Sequence, residues 1–266
     1  MATININNKL ITFAQQELVL GYSSVERDRI NTSFVQLQRV LKEKLYNEAK
    51  EILPFGSFTR NTILPRKYDD GSDVDLLVVF NTSAGKKTPG TYRKNISNAL
   101  SNSYPLSVLK KDFPTVKLEL NHIMFDVVPC YTEEYWSSKS YYIPSANDSW
   151  QNTVPNDINN DLQQKNQLYG NNIVRNVIRL CKHWNASQGR YFDSYEMEKW
   201  IVGRYFYNGD NLYDKFLSIM SDLAYYKHSG VKQALDWIKE YKGTWQRTAD
   251  EKKQLEWLQK LLPGLQ

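Results

Sequence analysis

Apolar residues recur along the chain in distinct rhythms, and each change of rhythm marks a change of element. Between residues 25 and 45, Ile30, Phe34, Leu37, Leu41 and Leu45 stand three or four apart, the spacing of one face of an amphipathic helix. Ser23-Ser24-Val25-Glu26 reads as its capping box, with a serine hydroxyl accepting from a free backbone amide while the glutamate reaches back. Residues 51–55 predict a short strand, and Gly56-Ser57 begins a turn. Further on the rhythm shortens to two. "TVKLEL" (115–120) and "IMFDVVPC" (123–130) flank Asn121-His122, a gap suited to a hairpin. Closed there, the hairpin sets Leu120 against Ile123, Leu118 against Phe125 and Val116 against Val127. Lys117 then lies opposite Asp126, on the face that also carries Glu119.

From about residue 157 the helical period returns. Ile173, Val174, Val177, Ile178, Cys181 and Trp184 form one stripe, and further helical stretches are predicted near 195–207, 211–226, 230–242 and 249–262. Trp184 and Trp200 read as core, and His183 as a surface or packing residue. Residues 152–160, with Pro155 among them, form the expected junction. The expected architecture is α+β: a mixed lobe over 1–155, then a helical lobe over 156–266, with the first long helix touching both.

Composition narrows the class. At 266 residues, 41% apolar and 24% charged, the chain is an ordinary globular one with room for one large or two modest domains. No apolar run approaches the roughly 18 residues needed to span a bilayer, and the N-terminus lacks the pattern of a signal peptide. Cys130 and Cys181 are the only cysteines, too few for a disulfide framework or a cysteine-rich zinc site, so a reducing cytoplasm is the expected location. The net charge of +5 is mild and suits a phosphate-rich ligand without requiring one.

Candidate chemistry concentrates in "FGSFTRNTILPRKYDDGSDVDLLVVF", residues 55–80. A buried strand has no reason to open with two charges that repel each other. On a strand, Asp73 and Asp75 project to the same side about 6–7 Å apart at the backbone. Hard oxygen donors placed so suit Mg²⁺ or Mn²⁺; a solvated loop with an Asx turn is the plainer alternative. Asp126 is a lone charge in an apolar strand, to be met by the same cation or by Lys117. Gly56-Ser57 lies where backbone amides can approach an anion, with Thr59 and Arg60 close behind.

The set "GSFTRNT…SDVDLLVVF…FDVVP" resembles the template-independent nucleotidyltransferases, and more narrowly the bacterial cGAS-like (CD-NTase) enzymes and the oligoadenylate synthetases. The resemblance implies a polymerase beta-like mixed-sheet lobe and a helical lobe completing a nucleotide-binding cleft, bridged by the long N-terminal helix. It implies two ions of Mg²⁺ or Mn²⁺ held by Asp73, Asp75 and Asp126, the catalytic residues. "VIRLCKHWN" is similar to the family's helix bearing a triphosphate-binding lysine, here Lys182. "FDSYEMEKW" is similar to the segment where a serine meets the triphosphate and a tyrosine stacks on the base, here Ser194 and Tyr195. Ser194 also suits the N-cap of that helix, and Tyr195 suits core packing. With Gly56, Ser57 and Arg60 these make up the implied substrate site. "YYIPSANDSWQNTVPN" is similar to the family's connector between lobes, and beyond about residue 205 the likeness thins.

The implied activity is synthesis of a cyclic di- or trinucleotide second messenger from ATP, with GTP, UTP or CTP as further substrates, in bacterial anti-phage signalling. Transfer of one nucleotide to a protein or RNA, and a catalytically idle nucleotide-binding module, are the alternatives; the idle module is disfavoured because no metal carboxylate is missing. Two cysteines and three histidines cannot build the zinc insertion of the animal DNA sensor. The lysine pairs at 86–87, 110–111 and 252–253 are scattered, so a nucleic-acid activator is not expected, while a regulatory protein partner is compatible.

Overall fold

The computed structural model describes residues 5–21, 24–110, 113–136, 138–225, 229–242 and 247–266. Two compact units emerge: a mixed unit of residues 20–66 and 71–157, and a helical unit of residues 1–19, 67–70 and 158–266. A short helix, α1 (Ile6–Thr12), and a π-helical turn (Phe13–Glu17) come first, so the chain enters through the helical unit before building the mixed one.

The mixed unit opens with α2 (Val25–Lys44). The Ser24 hydroxyl accepts from the Arg27 amide and caps the helix. The Glu26 carboxylate accepts from the Arg66 amide 2.9 Å away, and Ser23, the first residue of the expected box, lies outside the described residues. Then follow β1 (Ala49–Phe55), α3 (Gly56–Arg60), β2 (Asp73–Phe80), α4 (Pro89–Ser103), β3 (Val108–Lys110), β4 (Val116–Leu120), β5 (Ile123–Tyr135), β6 (Ser138–Ser145) and β7 (Ser149–Thr153). The sheet runs β1-β2-β5-β4-β3, with β6 and β7 added along the far half of β5. β2 and β5 are parallel and their other neighbours antiparallel. The hairpin closes as its period predicts, with Leu120, Leu118, Lys117 and Val116 opposite Ile123, Phe125, Asp126 and Val127.

One face of the sheet carries the main core. Val74, Leu76, Val78, Phe80, Leu118, Phe125 and Val127 pack in one cluster with Ile30, Leu37 and Leu41 of α2 and Ile96 and Leu100 of α4. On the other face Leu77, Val79, Val128 and Cys130 form a smaller cluster. Covered on both sides, the later part of β2 must be apolar at every position, which explains the unbroken Leu76–Phe80 run. Its first residues lie at the rim of that second cover, and only there does β2 carry charge.

The helical unit continues with α5 (Asn159–Tyr169), α6 (Ile173–Ser187), α7 (Ser194–Gly203), α8 (Leu212–Tyr225), α9 (Ser229–Lys242) and α10 (Arg247–Leu261). α6 is buried nearly all round, including Asn176, Arg179, Lys182, His183 and Asn185. Buried polar groups need bonds, and each of these side chains makes at least one. Arg179 donates to the Asn176 side chain and the Ala14 carbonyl; Asn185 exchanges two bonds with the Phe192 backbone. His183 Nε2 lies 2.8 Å from the Pro263 carbonyl, its ring edge-on to Phe13 and Tyr68. It is a packing residue, and Trp184 is core, but Trp200 is only half-buried, lying under the Arg204 guanidinium. Residues 67–70 belong here because Tyr68 packs on Phe13 and Arg190 pairs with Asp69 and Asp70.

Candidate active site

The parallel pairing of β2 with β5 brings the aspartates together. Asp75 is the direct cross-strand partner of Asp126, and Asp73 is the partner of Met124, two residues earlier along both strands. Because neighbouring strands lie about 4.8 Å apart and alternate residues share a face, the three carboxylates converge. One oxygen from each lies within 4.8 Å of the others. Val74, between the first two, points into the main core at 0% exposure, which locks the strand's facing. A one-residue slip would put the valine beside Asp126 and bury the charges of Asp73 and Asp75 in the core.

Three carboxylates so close repel one another unless positive charge joins them. Lys117 supplies one unit, its Nζ 3.7 Å from Asp126 Oδ2. The donor set that remains, hard oxygens facing a common point, fits Mg²⁺ or Mn²⁺.

Gly56 abuts this cluster. Its φ is +73°, a left-handed conformation that L side chains rarely adopt, and a Cβ built there would sit 2.9 Å from the Asp75 carboxyl carbon. Glycine is required here by backbone angle and by the carboxylate behind it, a reason distinct from close approach to a ligand. The turn of α3 is closed by Asn61 at φ +55°. The Thr59 hydroxyl lies 2.9 Å from the Gly56 carbonyl and 3.3 Å from Asn156 Oδ1. Ser57 is half-buried, and Arg60, 4% exposed, is turned inward. On the carboxylate face of the sheet lies a cavity of about 260 Å³ lined by Leu53, Phe55, Leu77, Tyr141, Thr153 and Asn156. Leu77 is the next residue on that face after Asp75.

In the helical unit, Lys182 on α6 is buried and bonded to Glu198 of α7 at 3.0 Å. Glu198, 1% exposed, is missing from the reading of the sequence. Its signal was there: a glutamate between Met197 and Ile201 falls on the buried face of the helix. α7 is capped by Asp193, whose carboxylate accepts from the Glu196 amide 2.9 Å away. Ser194 is therefore the first helical residue and not the cap. Tyr195 is 37% exposed, with the Lys199 ammonium 5.7 Å from its ring centroid.

A mixed sheet that sets three carboxylates on adjacent strands, beside a glycine-serine turn that opens a short helix, defines a nucleotidyltransferase. The chain belongs to the Second Messenger Oligonucleotide or Dinucleotide Synthetase (SMODS) domain family, which matches residues 4–166. Its fold is similar to that of CdnC from E. coli MS115-1, solved with ATP, over 98% of both chains at 15% identity and a TM-score of 0.70. The CD-NTase CdnG from Bradyrhizobium diazoefficiens, solved with GTP, aligns over 97% of this chain and 91% of its own at 13% identity and a TM-score of 0.63. Vibrio cholerae DncV aligns over 97% and 88% at 10% identity and a TM-score of 0.62. No curated protein matches the chain by sequence. Among the described residues no helix is long and apolar enough to cross a membrane.

Proposed function

We propose that the chain joins nucleoside triphosphates into a cyclic di- or trinucleotide second messenger, with Mg²⁺ or Mn²⁺ as cofactor, in bacterial anti-phage signalling in the cytoplasm. The observation that carries this reading is the convergence of Asp73, Asp75 and Asp126 within 4.8 Å on two parallel strands. These three residues would hold two divalent ions, whose chemistry would be to polarise the α-phosphate and lower the pKa of the acceptor hydroxyl. Gly56 and Ser57 open the turn that receives the donor's phosphates, and Arg60, turned inward, closes it from behind. In the helical unit, Ser194 offers a hydroxyl to a phosphate, and Lys182 offers its charge only by exchanging Glu198 for a phosphate oxygen. Tyr195 offers a ring face to the donor base, a stacking contact worth about 1–3 kcal/mol.

The acceptor nucleoside takes the cavity beside Leu77 and Phe55. Its volume of about 260 Å³ lies just below the roughly 300 Å³ at which pockets for small molecules begin, a size suited to a base. Thr153 and Asn156 provide hydrogen-bonding edges there. Relatives solved with ATP and with GTP support nucleoside triphosphates as substrates. A relative solved as a complex with a HORMA protein supports a regulatory protein partner.

The test is to incubate the purified protein with each labelled triphosphate and Mg²⁺ or Mn²⁺, then resolve the products after phosphatase treatment. A small phosphatase-resistant product that disappears in Asp73→Ala and Asp126→Ala is the expected result. Label on a protein or RNA would assign single nucleotidyl transfer instead, and unchanged product from either variant would remove the site.

A further inference from the structure

We propose that Lys117 is a built-in counter-ion of the third carboxylate. It acts as a positioning residue that holds Asp126 when no metal is bound and sets how tightly the site takes a divalent ion. The inference rests on the metal reading above. Across antiparallel β4–β5 the Cα partner of Asp126 is Lys117, and across parallel β5–β2 it is Asp75. Asp75, Asp126 and Lys117 therefore form a row on one face, one strand step of about 4.8 Å apart. The ammonium lies 3.7 Å from Asp126 Oδ2, with side chains only 24% and 10% exposed, so solvent screens the pair incompletely. Lys110 is next in the row, paired with Lys117 across β3–β4. Its own ammonium lies 3.0 Å from Glu119 instead. Lys117 is thus the lysine of the row that faces the metal carboxylates.

The consequence has two signs. Without metal, one ammonium cancels part of the repulsion among three carboxylates and keeps Asp126 turned towards its neighbours. With metal, the same charge repels the incoming ion. Even with the full dielectric of water, a unit charge about 6 Å from a divalent ion weakens binding about ten-fold, and partial burial of Lys117 only adds to that. An empty site with reduced affinity fills chiefly when nucleotide phosphates add their own negative charge, so cation and triphosphate arrive together.

The test is Mn²⁺ binding to the full chain without nucleotide, read from the electron paramagnetic resonance signal of the free ion. Wild type, Lys117→Met, Lys117→Gln and Lys117→Arg are compared, with melting temperatures taken in chelator and in saturating Mn²⁺. The Met and Gln variants are expected to bind about ten-fold more tightly and to gain more melting temperature from Mn²⁺ than wild type, while Arg stays within about two-fold. A purely structural lysine would lower the melting point in chelator without tightening Mn²⁺ binding, and that result overturns the proposal. Should the Met variant not fold, the Gln variant carries the same comparison. Should Mn²⁺ binding be absent from wild type and from the Met and Gln variants alike, the metal reading itself falls and takes this one with it. Binding by wild type with Met and Gln variants unchanged removes only the role of Lys117.

Discussion

Gly56→Ala separates the stability of the fold from the geometry of the site. Alanine at φ +73° bears a left-handed strain of roughly 1–2 kcal/mol. Its Cβ would lie 2.9 Å from the Asp75 carboxyl carbon and 3.2 Å from the Asp75 Cβ. Unstrained carbons stay about 3.5–4.0 Å apart and Asp75 Oδ2 lies nearer still, so the carboxylate must retreat by more than about 0.6 Å. Turning Asp75 off its rotamer to do so adds about 0.5–1.5 kcal/mol. The total, about 1.5–3.5 kcal/mol, lowers the melting temperature by several degrees and leaves the protein folded. Activity is far more sensitive, because misplacing a reacting group by about 1 Å costs on the order of 100-fold. Gly85→Ala is the control: φ is +108° there too, but no atom lies within 4 Å of the added Cβ. Pyrophosphate release and thermal melts on both variants make the comparison. Strain without loss of activity is expected in Gly85→Ala, and about 100-fold slower turnover in Gly56→Ala. A folded Gly56→Ala protein with turnover within about three-fold of wild type would refute the reasoning.

Other outcomes are equally open to measurement. Lys182→Met leaves the buried Glu198 carboxylate without its ammonium and should destabilise the protein by about 3–5 kcal/mol in urea, whereas Lys182→Met with Glu198→Leu should recover part of that loss. Burial holds the His183 imidazole below its ordinary 6.5, against the opposing pull of the Pro263 carbonyl. The unfolded chain therefore takes up the proton first, and the neutral ring's stability is lost as pH falls through about 6.5 towards the folded value. Melting curves between pH 7.5 and 5 should show a steeper loss for wild type than for His183→Gln. Thr153→Trp, by filling the cavity beside Leu77, should cut cyclic product about ten-fold or more. Binding of a fluorescent ATP analogue should survive that change, and equal loss of both would remove the cavity as the acceptor site.

Much of this was legible in the residues. Alternation at period two dictated both the facing of the hairpin and its register, because a two-residue gap leaves one way to pair Leu118 with Phe125 and Lys117 with Asp126. The helical spacing of Ile30, Leu37 and Leu41 likewise named the buried face of α2. The charges opening β2 marked a place where carboxylates gather, and Asp126 of β5 completes that cluster. Local capping was read less well at α7, where Asp193 rather than Ser194 takes the cap, since a carboxylate one residue earlier reaches the free Glu196 amide.

Which strand lies beside β2 could not be read from spacing. Parallel neighbours need a crossover, and the residues that join β2 to β5 fold into α4, β3 and β4 before the chain returns. Only that return sets Asp126 level with Asp75. The contact of Gly56 with Asp75, the burial of Lys182 against Glu198 and the placement of residues 1–19 and 67–70 with the helices belong to the same class. Periodicity along a chain states which side of an element is apolar, and that is decided within a few residues. Which element covers that side is decided by the packing of the whole molecule.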